Sequence, residues 1–157
     1  MSKTSKLVTA VLGCELVGIL SIPFTFVAIP TWYVTLNKPA FSPPNWIFGP
    51  VWTALYFMMG VAAYLVWQKG LKNKKVRRAL VYFLLQLGFN FFWSIIFFGL
   101  RQPLLAFVDI VLLWGAIFIT IMQFSKLSKP AAYLMIPYLL WVSFAMVLNL
   151  SIVSLNR

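Results

Sequence analysis

Three stripes of residues at helical spacing carry the chemistry this sequence can perform. Gln86, Asn90 and Ser94 recur at every fourth position, as do Trp141, Ala145 and Asn149, and Trp52 and Tyr56 stand in the same relation. Positions four apart on an α-helix stack on one face, so each stripe offers rings, amides or hydroxyls along a line. Phe97 extends the first stripe, one residue short of the next turn. Rings stack on flat surfaces and amides hydrogen-bond carbonyls or carboxylates, which is the chemistry of binding rather than of bond cleavage. The same stripes also suit interhelical hydrogen bonding as packing, at about 1 kcal/mol or less per contact. Spacing alone weighs the two readings equally. The stretch TWYVTLNKPAFSPPNWIFGPVW, residues Thr31 to Trp52, tips the balance toward a pocket: it gathers three tryptophans, a tyrosine and four of the nine prolines around Lys38. Prolines and large rings supply contact area with little entropy left to lose, which suits a lid.

Titratable groups are scarce. Glu15 and Asp109 are the only acids, Cys14 is the only cysteine, and histidine is absent. That removes the commonest haem-iron ligand and the usual general base, and it excludes multi-cysteine metal sites and internal disulfides. No metal and no cofactor are expected. Enzyme triads, phosphate loops and zinc spacings are missing too. Both acids fall within apolar runs, where a relay would need a paired base, and no such run contains a lysine. Asp109 is expected to be satisfied by Arg101 or backbone donors, and Glu15 by a partner on another helix.

The elements that must position these residues follow from composition. Hydrophobic residues make up 62% and charged residues 10% of the chain, with a mean hydropathy of +0.93, far outside the range of soluble domains. Apolar blocks predict five membrane spans at about 7–29, 46–67, 79–100, 103–124 and 131–153, each near the 20 residues that cross the hydrocarbon core. The fold class is therefore an all-α integral membrane protein, a five-transmembrane-helix bundle, with residues 1–157 as a single domain. Span one, holding Glu15 and lacking an A-x-A site, reads as retained rather than as a signal peptide. Five spans place ten of the thirteen basic residues on one face, and leave Lys38, Arg101 and Arg157 on the other. This bias predicts a cytoplasmic N-terminus, with the 31–45 loop and the C-terminus outside a prokaryotic cell membrane. The net charge of +11 then reflects topology and contact with anionic membrane lipid, not nucleic acid.

The residues now reached resemble a known family. Trp32-Tyr33-x-x-Leu36-x-Lys38-Pro39-x-x-x-Pro43-Pro44 and Phe48-Gly49-Pro50-x-Trp52-x-x-Leu55-Tyr56 look like the signature of the TspO/MBR family, the translocator and tryptophan-rich sensory proteins. The likeness continues through Gln86-Leu87-x-x-Asn90, Phe97-Phe98-Gly99-x-Arg101-Gln102 and Ala106-x-Val108-Asp109. It closes with Pro137-Tyr138-Leu139-x-Trp141-x-x-Phe144-Ala145-x-x-Leu148-Asn149. Span one contributes least.

The resemblance implies a bundle, often a homodimer, that binds porphyrins such as protoporphyrin IX, sterols and synthetic ligands beneath the first loop. Its ligand-contacting positions would be Tyr33, Pro43, Trp52, Tyr56, Gln86, Asn90, Trp141 and Ala145, with Lys38 in the lid as a further cation. It also implies light-dependent porphyrin breakdown involving Trp52 and Trp141, or a sensor or regulator role. Sterol binding is not carried over, because Leu150 stands where the family's motif has tyrosine. A small-solute or tetrapyrrole transporter is the alternative, although an odd number of spans excludes two matched repeats. An enzyme would need titratable groups in mutual reach.

Overall fold

Five helices form because five apolar stretches are long enough to cross a bilayer and must satisfy every backbone polar group internally. The structure, a computed structural model, describes residues 1–157. Helix α1 spans Lys3–Thr31, α2 Phe48–Trp67, α3 Lys74–Ser94, α4 Pro103–Ser125 and α5 Lys129–Leu155, with no strand. The 20 residues of α2 rise about 30 Å, one hydrocarbon thickness. All five are long and apolar enough to span a membrane.

Local chemistry sets the ends. The Ser2 hydroxyl accepts from the Ser5 N–H, the Asn73 side chain from the Lys75 N–H, and the Ser128 hydroxyl from the Ala131 N–H, so three helices start on a side-chain cap. Pro103 opens α4 at a position where its missing N–H is harmless. Span one was expected to stop at Pro30, but α1 carries both Pro23 and Pro30 inside it and continues through a 3-10 turn at Tyr33–Thr35. Span three was expected as one helix to residue 100. Instead α3 ends in a π turn at Ile95–Gly99, closed by Leu100 N–H donating to Ile95 C=O at 2.8 Å.

The helices stand in a ring in which α1 packs on α2, α2 on α5, α5 on α4, α4 on α3, and α3 with its π turn closes back on α1. Apolar side chains such as Leu12, Leu84, Phe92, Leu104 and Leu140 point outward, as lipid-facing positions do. The α1–α2 contact is close. A Cβ on Gly60 would lie 2.5 Å from the Val11 Cα, an approach that only glycine permits. Lys6 sits 5.8 Å over the Trp67 ring, tying the start of α1 to the end of α2 at the lysine-rich end.

Candidate functional site: a cavity between the helices

Tyr56 on α2, Asn90 on α3 and Tyr138 on α5 meet in the bundle interior. The Tyr56 hydroxyl donates to Asn90 Oδ1, and Asn90 Nδ2 donates to the Tyr138 hydroxyl at 2.9 Å. This buried chain of bonds forms a floor. On its loop side opens a cavity of about 350 Å³ lined by all five helices, near the lower end of the range for small-molecule sites, roughly 300–1,000 Å³. Trp52 lies one turn above Tyr56, their rings 5.6 Å apart. Trp141 stands one turn above Tyr138, with its ring 6.1 Å from Phe48 and 5.5 Å from Phe144.

Above these, the π turn of α3 brings Phe97 and Phe98 together at 4.9 Å, with Trp93 stacked on Phe97 at 4.9 Å and 21°. Tyr33 joins them, 5.9 Å from Phe98. A π turn widens the helix by one residue, a distortion frequent at functional sites. The cluster forms the loop-side wall.

Of the residues expected at the ligand, Tyr33, Trp52, Tyr56, Asn90, Trp141 and Ala145 line the cavity. Lys38, Pro43 and Gln86 do not. Lys38 donates to the carbonyls of Tyr33 and Leu36 at 2.9 and 3.1 Å and lies 4.8 Å over the Tyr33 ring, so its cation braces the loop. Pro43 is half-buried within the loop. Gln86 lies one turn below Asn90, beneath the floor, fully buried, with Nε2 3.7 Å from the Met59 sulfur and Oε1 unpartnered. The 31–45 loop meets the cavity only at its ends, through Tyr33 and Asn45. It is held down by Asn156, whose side chain accepts from the Asn37 N–H and donates to the Asn37 C=O, both at 2.9 Å.

Two expectations about the acids need correction. Asp109 is buried, but Oδ2 has no partner and Arg101 is exposed beyond the end of α3. The positive φ of 55° at Arg101 belongs to the chain's exit from the π turn. Glu15 has no partner on another helix; it lines the cavity.

The face of α1 was missed altogether. Gly18, Ser21, Ile22, Thr25 and Phe26 all line the cavity. The signal was present as small or weakly polar residues at Cys14, Gly18, Ser21, Thr25 and Ala28, a step of four and three that marks one helical face. Trp93 was missed as well, and Asn149 was seen only as part of a stripe. The Trp93 indole N–H donates to Asn149 Oδ1 at 3.0 Å, and Asn149 Nδ2 donates to the Pro103 carbonyl at 2.8 Å. Packing bonds and cavity wall therefore share residues.

The arrangement is an aromatic, weakly polar pocket, closed toward the lysine-rich end, with no lysine or arginine on its wall. Its likeness to known proteins runs the length of the chain. The sequence profile of the TspO/MBR family matches residues 10–155. The chain is 45% identical over 151 residues to the tryptophan-rich protein TspO of Archaeoglobus fulgidus, covering 96% of this chain and 97% of that one. It is 47% identical over 143 residues to the protein of the same name in Chlorobaculum tepidum, covering 91% and 90%. It is also 43% identical over 119 residues to the human translocator protein, covering 75% and 70%. With ring-lined cavity, proline-rich loop and five spans in the matched order, the chain belongs to the TspO/MBR family.

Proposed function

We propose that the protein is a membrane-embedded binding protein for porphyrins, protoporphyrin IX among them, and for similar flat hydrophobic ligands. The observation that carries this reading is the Trp141 indole: it stands on the cavity wall, and its Nε1 is buried without an acceptor. An unpaired buried donor costs about 1–3 kcal/mol, which a ligand's carbonyl or ring nitrogen offsets. Trp52 and the Phe97 cluster offer flat faces for the rest of the macrocycle. Beneath the floor, Met59, Ala62, Val66 and Met135 are completely buried, so the cavity is blind toward the lysine-rich end. A blind pocket favours binding or sensing over transport, and one relative is named a tryptophan-rich sensory protein.

In this reading the protein works as a homodimer, its N-terminus faces the cytoplasm of a prokaryotic cell, and bound porphyrin is degraded in light at Trp52 and Trp141. The purified protein, titrated with protoporphyrin IX by tryptophan quenching, tests it. Trp52→Phe and Trp141→Phe should each weaken binding about fivefold, the equivalent of about 1 kcal/mol per lost stack or hydrogen bond, and abolish light-driven loss of the ligand. Trp67→Phe, far from the cavity, should do neither. Wild-type binding by both inward variants would locate the ligand elsewhere. Metal-free porphyrin should bind at least as well as haem, because the wall offers iron no histidine or thiolate.

A further inference from the structure

The cavity is almost uncharged, and its one exception lies on α1. Glu15 is the only ionisable acid among the lining residues, and no lysine or arginine accompanies it. It stands three residues before Gly18, where the Tyr56 ring packs so closely that a Cβ would come within 2.7 Å. The side chains of a helix lean toward its N-terminus. The carboxyl therefore lies toward the end of the cavity away from the loop.

The polar side chains that form the floor already bond to one another. Tyr56 donates to Asn90, and Asn90 donates to Tyr138. Lys38, the basic residue nearest in the loop, is held by two carbonyls. The Glu15 carboxylate makes no hydrogen bond or ion pair to another side chain. An acid inside a membrane is costly unless it faces a cavity and finds a partner there. Here the cavity is present and the protein supplies no partner, so the partner arrives with the ligand.

Resting on the reading that this cavity is the ligand site, we propose that Glu15 selects flat hydrophobic ligands that carry a basic nitrogen, gripping that nitrogen at the cavity floor. The contact is a charge-assisted N–H···O bond between an ammonium of the ligand and the Glu15 carboxylate, strengthened by the apolar surroundings. The same acid repels ligand carboxylates from the floor. A dicarboxylic porphyrin is thereby oriented with its acid arms toward the loop, and a basic ligand the opposite way.

Two derivatives of one macrocycle test this in nanodiscs of zwitterionic phosphatidylcholine, which removes attraction of the amine to anionic lipid. One is protoporphyrin dimethyl ester; the other is the diamide of the same porphyrin bearing dimethylaminoethyl arms. Wild-type protein should bind the basic derivative about tenfold more tightly than the ester. Glu15→Gln, which keeps the shape, should bring that ratio to about one. A ratio that survives Glu15→Gln overturns the proposal. Trp141→Phe serves as the separate control on the cavity, because it should weaken both derivatives alike. If it weakens neither, the cavity reading has failed; if it weakens both while Glu15→Gln leaves the ratio intact, only the role of Glu15 has failed.

Discussion

The lysine-rich end of the bundle and its aromatic end are built on opposite rules. At the lysine-rich end Ala62, Ala63, Ala79, Ala131 and Ala132 are buried between helices, and Gly60 lets the α1 backbone press against α2. Large side chains are buried there as well; Phe83 and Phe124 stack at 5.8 Å and 16°. At the aromatic end Trp52, Trp93, Trp141 and Phe98 line a cavity of about 350 Å³. Lipid tails are as apolar as leucine, so helix association in a bilayer depends on close packing and interhelical hydrogen bonds. Small residues supply that packing at one end. The other end gives up packing for a wall of rings, and one chain thus divides stability from recognition.

The division is open to direct attack. Gly60→Ala should have the largest effect, since its new Cβ meets the Val11 backbone at 2.5 Å. Overpacking of this kind costs about 1–3 kcal/mol, to be read as a lower thermal unfolding midpoint in detergent. Gly115→Ala, with nothing within 4 Å, should be neutral or slightly stabilising. Equal effects from both would mean that close approach does not hold this end together.

Asn149→Ala should come next, at about 1 kcal/mol, because it breaks the bonds to Trp93 and to the Pro103 carbonyl. The Trp93 emission should shift with it. Trp141→Phe should reverse the pattern: its indole N–H has no partner to lose, so stability should stay within about 0.5 kcal/mol of wild type while ligand affinity falls. A large stability loss would show that the aromatic end also carries the fold. Asn156→Ala should have the smallest effect, with faster amide exchange confined to residues 36–45 and an unchanged unfolding midpoint.

Much of this was legible because membrane physics narrows the choices. Length and apolarity placed all five helices, and a spacing of four put Trp52, Tyr56, Asn90 and Trp141 on inward faces. What escaped depended on three-dimensional detail. Gln86 shares a stripe with Asn90 yet falls below the floor, because a stripe gives direction and says nothing of where a cavity stops. The π turn at Ile95–Gly99 has no sequence pattern of its own. The α1 wall went unseen because its residues are small, and attention to rings and amides passes over Gly18 and Ser21. Asp109 was assigned to Arg101 or backbone donors by nearness in sequence, but its Oδ2 has neither, and the chain's exit from the π turn turns that arginine outward.

The amide pair between Asn37 and Asn156 joins residues 119 positions apart. During synthesis the ribosome adds roughly 5–20 residues per second, so the loop waits about 6 to 24 s for the far side of that pair to be made. The loop and the first two helices are made long before α5 arrives with Trp141 and Ala145, and Asn156 just beyond it. Until then the pocket lacks a wall and the loop lacks its tether. If the cavity binds porphyrin as proposed, ligand capture waits for α5, and a porphyrin added during translation would report the completion of that helix rather than the insertion of the helices before it.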